Sequence, residues 1–473
     1  MRRRMCWALL AWALLLSGCG GRAGAPVWAG MIADAQARYA QFVPVAEDPA
    51  DEMGVSDHAH CPWQPYLVAA PAFQRGGRVS GAQAAQDVSA LFDLLATYYG
   101  PYGHFGGDAV FDPARDRLIA DWAGRDSVTG AQFEDGVRGA LAEIITDSHF
   151  TVNGKALNPR QAPYFAEESL VFGRDEEGYF RLEDGLRLRG VDGYALEEIL
   201  RPSLTASGEA AYRLCLLAPD DSPDRRVTLR YADGSAQSLE LTTPYRYPGG
   251  GGRYACALAE GPRPGVAVLT LTAMAAAPVE EPDSAPARDF VAQVRAAREA
   301  DTLVLDLRDN AGGHRLLVDL FMCAYTGRDA WASKCRRAEY PTAEDATLGD
   351  YWPVERTDTG ILLGGQLVDR LGHRPTVIVL VNKNTASSAE TLCDALISCP
   401  DVDTLLVGVN TRGAVIGGMG MEPVLPNTHL RAAFGLSLCL SPEGYCPETA
   451  GLTPDLWVQG DALEAVLALL DEN

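Results

Sequence analysis

The sequence predicts an α/β fold, a core of parallel strands joined by helices, preceded by a small helical region and a β-rich segment. Three observations predict it. From Gly265 onward short apolar runs alternate with amphipathic stretches: Gly265 to Leu271 reads as a strand, Ala287 to Arg298 as a helix, Thr302 to Leu305 as a strand and Leu316 to Tyr325 as a helix. The Val377 strand, the Ser387 helix and the Leu405-Leu406-Val407 strand complete the series. Such alternation indicates parallel strands, because a parallel neighbour needs a crossover connection. Upstream, Ala82 to Tyr98 carries Val88, Leu91, Leu94 and Leu95 on one helical face, and Leu118 to Trp122 and Phe133 to Ile145 repeat the period. Between the two regions, Phe165 to Thr243 reads as strands with one helix, including a hairpin from Val227 to Leu241 about the Asp233-Gly234 turn. Pro244 to Arg253, with four consecutive glycines, is the linker.

With 473 residues, 47% of them hydrophobic, the chain can bury several cores, and roughly three domains is the length prior. The 63 acidic residues against 40 basic ones, net −23, disfavour a polyanion, so no nucleic-acid partner is expected. No Cys-x-x-Cys pair occurs in the mature chain, and His58 and His60 alternate on an extended loop with no matching ligand set, so neither a metal nor another cofactor is expected.

The first residues form an address. Arg2-Arg3-Arg4 is a positive n-region, Trp7 to Leu16 is an apolar stretch too short to span a bilayer, and Ser17-Gly18 are small. Leu16-Ser17-Gly18-Cys19 resembles a bacterial lipobox, which implies cleavage before Cys19, a diacylglyceryl group on its sulfur and a membrane tether that does not span. Gly20 is not the aspartate of inner-membrane retention, so the expected place is the bacterial cell envelope, at the outer membrane, periplasm-facing or surface. An ordinary secretory signal would still export the chain. Residues 20–78 then read as a tether and extension, with a short helix within Trp28 to Phe42. Beyond Cys6 and Cys19, nine of the eleven cysteines remain. Sequence proximity suggests Cys323 with Cys335, Cys393 with Cys399 and Cys439 with Cys446, and a longer loop closed by Cys215 and Cys256.

Thr376 to Leu396 is the stretch about which the core is organised. The β-branched run to Val381 stops at Asn382-Lys383-Asn384, and Thr385-Ala386-Ser387-Ser388-Ala389-Glu390 opens a helix. A strand running into a helix through small residues is where a hydrolase presents a nucleophile among free N–H groups, so Ser387 or Ser388 is the candidate. The other reading is an N-cap at Thr385, Ser387 or Ser388 with Glu390 near it. In Thr302 to His314, a second strand is followed by Gly312-Gly313, a pair that lets backbone N–H groups face a ligand, as in an oxyanion hole, or simply makes a turn. The helical region ends on Thr146-Asp147-Ser148-His149-Phe150, where neighbours can aim an imidazole or where a cap suffices.

Together, Leu305-Asp306-Leu307-Arg308-Asp309-Asn310-Ala311-Gly312-Gly313 and Thr385 to Glu390 resemble the two signatures of the tail-specific (C-terminal processing) and tricorn-type serine peptidases. The resemblance implies a crotonase-like (ClpP-type) spiral core over 258–473, a helical domain over 79–157 and a degenerate PDZ-like segment over 158–247, where Leu186 to Gly193 precedes a short helix. It implies Ser387 as nucleophile, with Gly312, Gly313 and the Ser388 N–H as the oxyanion hole and Ser388 as reserve nucleophile. Its lysine-dependent branch carries a Lys after a Gly-x-x-Thr-x-Gly turn. Here the turn is Gly408-Val409-Asn410-Thr411-Arg412-Gly413 and Ala414 follows, while Arg412 stays protonated and cannot serve as base. Ser148-His149 matches the tricorn-type base, so His149 is the expected base. Glu448, in Glu448-Thr449-Ala450-Gly451-Leu452-Thr453-Pro454-Asp455, is the expected acidic member orienting His149 or Ser148, with Asp455, Glu443 and Asp147 as alternatives. The implied substrate is a peptide or unfolded protein. The missing Lys also fits a relative that binds peptides or apolar ligands without cleaving them, or an envelope scaffold.

Overall fold

The computed structural model describes residues 30–31, 35, 61–158, 164–205, 208–217, 225–244, 254–328, 334–337, 347–418, 420–440, 448–458 and 460–472. The leader, Cys19, His58, His60 and Glu443 lie outside them, and of the short helix expected near residue 35 only residues 30, 31 and 35 are described, all helical.

Three helices open the described chain: α1 (Gly81–Tyr98), α2 (Asp108–Ala123) and α3 (Gly130–Ala142). Two begin at the same device. Ser80 Oγ accepts the Gln83 N–H while Gln83 Oε1 accepts the Ser80 N–H, and Thr129 and Gln132 repeat the exchange, satisfying donors that a helix start leaves open. α3 stops at Ala142, three residues short of the expected Ile145.

The β-rich segment supplies β1 (Tyr164–Asp175), β2 (Gly178–Arg181), β3 (Leu188–Val191), β4 (Leu200–Leu204), β5 (Ala210–Leu217), β6 (Arg226–Tyr231) and β7 (Ala236–Glu240). The core supplies β8 (Cys256–Glu260), β9 (Val266–Leu271), α4 (Ala285–Ala297), β10 (Thr302–Asp306), α5 (Leu316–Thr326), β11 (Thr376–Val381), α6 (Ser388–Ile397), β12 (Asp403–Gly408), β13 (Leu456–Trp457) and α7 (Ala462–Glu472). Among the described residues one mixed sheet runs in the order β1-β5-β4-β13-β12-β11-β10-β9-β8, with Thr243–Pro244 beyond β1 and β2 also paired to β1. From β9 through β12 to β13 and β4 the neighbours are parallel.

The β-rich segment is continuous with the core sheet. β4 lies beside β13, with Ser203 opposite Trp457 and Ser203 Oγ donating to the Trp457 carbonyl at 2.7 Å, so β1, β4 and β5 extend the core sheet. Within the β-rich segment, β7-β6-β3 forms a separate sheet, closing over Phe172, Ile199, Leu214 and Leu229. The α/β class stands, and strand periodicity does not reveal which edge a strand joins.

The central strands are buried on both faces. Leu303 and Leu305 of β10 and Val377, Val379 and Val381 of β11 point into a core with Phe290 and Phe321 of α4 and α5. Val304, Ile378 and Leu380 point the other way, against Leu469 and Leu470 of α7. Both strands end on one side of the sheet, where the two signature turns follow.

The helical layer shares a core with the chain near the C-terminus: Phe92, Phe133 and Phe150 pack with Leu425, Leu430, Phe434 and Leu436. Thr151–Val152 pairs antiparallel with Ala432–Ala433. Asp87 of α1 is wholly buried and accepts from Asn427 N and Nδ2 and from Thr428 N and Oγ1, at 3.2, 2.8, 2.7 and 2.7 Å.

The expected disulfides Cys393–Cys399 and Cys215–Cys256 are absent, and all four are free thiols. Cys393 faces the core from within α6, whereas Cys399 follows the helix end. Cys215 on β5 and Cys256 on β8 lie seven strand spacings apart, on the order of 30 Å. Neither the side chain of Cys335 nor Cys446 is described, and the main chain of Cys335 stands opposite Cys439.

Replacing Asp87 by Ala leaves buried donors without an acceptor and is expected to lower unfolding free energy by about 3 kcal/mol. Denaturant titration followed by tryptophan fluorescence checks this, since Trp122 belongs to that core.

Candidate active site

The turn after β11 carries Ser387 at φ 55°, ψ −125°, a conformation that side chains rarely adopt and that lifts the hydroxyl clear of the helix it starts. The conformation is secured by Glu390, one turn into α6. Its Oε2 accepts the Ser387 N–H at 2.8 Å and the Ala414 N–H at 3.0 Å; its Oε1 accepts the Gly413 N–H at 2.8 Å and the Thr411 hydroxyl. Burial pushes the Glu390 carboxyl up, and these four donors oppose the shift. The position where a lysine was missing therefore contributes only its amide, to the carboxylate that holds the nucleophile turn.

The turn after β10 is locked from beneath by Asn310, which is wholly buried. Its Nδ2 donates to the Leu271 carbonyl at 2.9 Å, its Oδ1 accepts the Gly312 N–H at 3.0 Å, and its own carbonyl accepts the Ala386 N–H at 3.0 Å. Asp309 Oδ1 meanwhile accepts from Asn382 and Asn384 at 3.0 and 2.7 Å, tying the two signature turns together.

Gly312 was expected to give an N–H to an oxyanion, and here that N–H is already occupied by Asn310. What Gly312 provides is space: a Cβ there would stand 2.6 Å from the Ala386 oxygen and 2.7 Å from Ser387 Cβ. The N–H groups of Gly313 and Ser388 have no acceptor among the described residues. The Ser388 hydroxyl donates to the Gly313 carbonyl at 2.9 Å, so the reserve nucleophile is turned toward the glycine pair.

His149 enters from the helical layer. Its Nε2 lies 3.1 Å from Ser387 Oγ, across 238 residues of sequence. Asp147 is the carboxylate at its other nitrogen: Oδ1 accepts the His149 main-chain N–H at 2.8 Å and stands 3.7 Å from Nδ1, which is buried without a hydrogen-bond partner. Glu448 holds Ser148 instead. Its Oε1 accepts the Ser148 N–H and hydroxyl at 2.9 and 2.8 Å, and its Oε2 accepts the Val415 and Ile416 N–H groups at 2.8 and 2.9 Å. Of the other acidic candidates, Asp455 is occupied in the sheet, accepting the Leu406 N–H at 2.8 Å.

Burial disfavours the imidazolium form of His149, yet the neighbouring charges of Asp147, then Glu448 and Glu390, outweigh it and raise its pKa above the ordinary value. Burial, then the charge of Asp147, raises Glu448 as well. Among the described residues no group of three or more His, Cys, Asp or Glu side chains is placed to hold a metal ion. Sequence reasoning missed Asn310, whereas Glu390, named there only as the neighbour of an N-cap, accepts the Ser387 N–H as such a neighbour does.

A serine hydroxyl beside an imidazole, with two N–H groups that meet no acceptor among the described residues next to it at the ends of parallel strands, is the arrangement that acyl transfer through a serine requires. Residues 265–458 match the model of peptidase family S41. Similar solved structures include mature CPAF, at 16% identity over 83% of this chain and 95% of that one, TM-score 0.42. The photosystem II D1 C-terminal processing protease is 16% identical over 83% and 97%, TM-score 0.36, and the tricorn protease 12% over 83% and 37%, TM-score 0.34. No curated protein matches the chain.

The imidazole of His149 is expected to titrate above its ordinary value of about 6.5, and the Asp147→Asn variant to bring it back down. NMR titration of the ring resonances checks both.

Proposed function

We propose that the protein is an exported, membrane-anchored serine peptidase that hydrolyses peptide bonds through Ser387 with His149 as general base. The observation that carries the reading is the 3.1 Å contact of His149 Nε2 with Ser387 Oγ. In the neutral imidazole the proton resides on Nδ1, the tautomer favoured by the carboxylate of Asp147 beside it. Nε2 then takes the proton of Ser387 as the oxygen attacks the scissile carbonyl carbon. The Gly313 and Ser388 N–H groups receive the negative oxygen of the tetrahedral intermediate. The imidazolium gives its proton to the departing amine, leaving an acyl-Ser387 ester that water cleaves with His149 again as base. Asp147 stabilises the imidazolium directly, and Glu448 acts through Ser148 by fixing the segment that carries His149.

The same reading takes the core as a crotonase-like spiral and the β-rich segment as a degenerate PDZ-like element that presents a peptide or unfolded chain. Arg2-Arg3-Arg4, the apolar run to Leu16 and Cys19 support export to a bacterial envelope and lipidation.

With casein or another unfolded polypeptide as substrate, Ser387→Ala is expected to lower kcat at least about 10⁴-fold. Because only neutral imidazole accepts the serine proton, wild-type kcat/KM should rise with pH through the His149 titration. An unaffected Ser387→Ala protein would overturn the reading. Separately, Cys19→Ala is expected to abolish incorporation of radiolabelled palmitate and release the protein from the membrane fraction.

A further inference from the structure

The carboxylate beside His149 is itself held from behind. Tyr99, the residue that ends α1, donates its hydroxyl to Asp147 Oδ2 at 3.0 Å, and both side chains are almost wholly buried. The phenol ring has little freedom. Phe105 stacks on it at 6.2 Å between centroids, and Phe150 and Phe434 meet it edge to face at 5.5 and 5.8 Å. The main chain is pinned too, since the Gly100 N–H donates to the Gly435 carbonyl at 3.1 Å. Next to the same carboxylate oxygen, a Cβ on Gly417 would stand 3.1 Å away, so the backbone there leaves room for the carboxylate and gives it no donor. Asp147 thus has one oxygen fixed by Tyr99 and the other shared between the main-chain N–H and the imidazole of His149.

We propose that Tyr99 is a positioning residue of this site: its hydroxyl sets the rotation of the Asp147 carboxylate so that Oδ1 faces His149 Nδ1. The proposal rests on the peptidase reading for its kinetic consequences and on geometry alone for its effect on the imidazole. A carboxylate turns readily about its Cβ–Cγ bond, and one main-chain N–H does not fix that torsion. Two anchors at opposite oxygens do. The groups facing His149 are Asp147 on its own segment, Ser387 from the turn before α6, Glu390 from α6 and Glu448 from the chain after β12, with Tyr99 reaching it through Asp147. Of the three acids, Glu390 is tied to four donors among the described residues and Glu448 to four, whereas Asp147 has one at each oxygen, the one at Oδ2 a single hydroxyl.

The test is Tyr99→Phe in the full-length protein, which keeps the ring in its aromatic box and removes only the hydroxyl. The His149 ring titration, followed by NMR, should move down toward the ordinary imidazole value. With casein, kcat should fall roughly tenfold at unchanged KM, the scale of one hydrogen bond to a charged group. In combination with Asp147→Asn the second substitution should add little, because both act through one carboxylate. An unchanged ring titration in Tyr99→Phe, or effects of the two variants that simply multiply, would overturn the proposal. So would loss of the fold in Tyr99→Phe, which would make the hydroxyl structural. If the wild-type protein cleaves no polypeptide, the peptidase reading fails while the NMR comparison still decides the role of Tyr99.

Discussion

A contact of 3.1 Å between side chains 238 residues apart requires two layers of the molecule to be held in fixed relation, and the rest of the site depends on that docking. His149 belongs to the helical layer and Ser387 to the parallel sheet. What joins them is a shared apolar core, in which Phe150, the residue after His149, stacks on Phe434 at 5.8 Å. Asp87 adds direction to that core: apolar packing alone tolerates sliding, whereas four donors from Asn427 and Thr428 onto one buried carboxylate fix the register. The pairing of Thr151–Val152 with Ala432–Ala433 fixes it again, two residues from the imidazole.

On the core side the comparable constraint is Glu390. A serine at φ 55° costs on the order of 1–3 kcal/mol, and surrounding structure must over-determine such a residue for it to persist. A buried carboxylate that accepts from the serine's own amide does so, because relaxing the turn would strand both a charge and a donor. Since the same carboxylate also gathers the amides of Gly413 and Ala414, the nucleophile turn and the turn after β12 are positioned by one group.

The strands and helices of the core were legible in the sequence because their periods are local. β10 and β11 are continuous buried runs, and the turns that follow carry polar and glycine residues that end them within a residue or two of expectation. The placement of Ser387 and His149 was legible through two short motifs. What was not legible is partnership across the fold. Glu448 was assigned to His149 or Ser148 and sits on Ser148; Asp147, two residues from the imidazole, stood only among alternatives. A carboxylate's partner depends on which of several nearby amides its backbone presents, and that is decided by tertiary packing. The union of the β-rich segment with the core sheet escaped for a similar reason: its contact with β13 is a single paired position, Ser203 with Trp457, which leaves no pattern in sequence.

The absence of a lysine after Gly413 and the presence of three acids around the imidazole belong together electrostatically. Anionic neighbours raise the pKa of any basic group near them. For a lysine base this is counterproductive, since its pKa already lies about three to four units above neutrality and must be pulled down before the amine can accept a proton. An imidazole starts near neutrality, so the same field strengthens it as a base and stabilises the cation it becomes, at the cost of activity in acid. Under the proposed mechanism, with Asp147, Glu448 and Glu390 around His149, a cationic side chain at position 414 has no part to play as base. The alanine there gives its amide to Glu390, the carboxylate that also accepts the Ser387 N–H and so fixes the hydroxyl beside the imidazole.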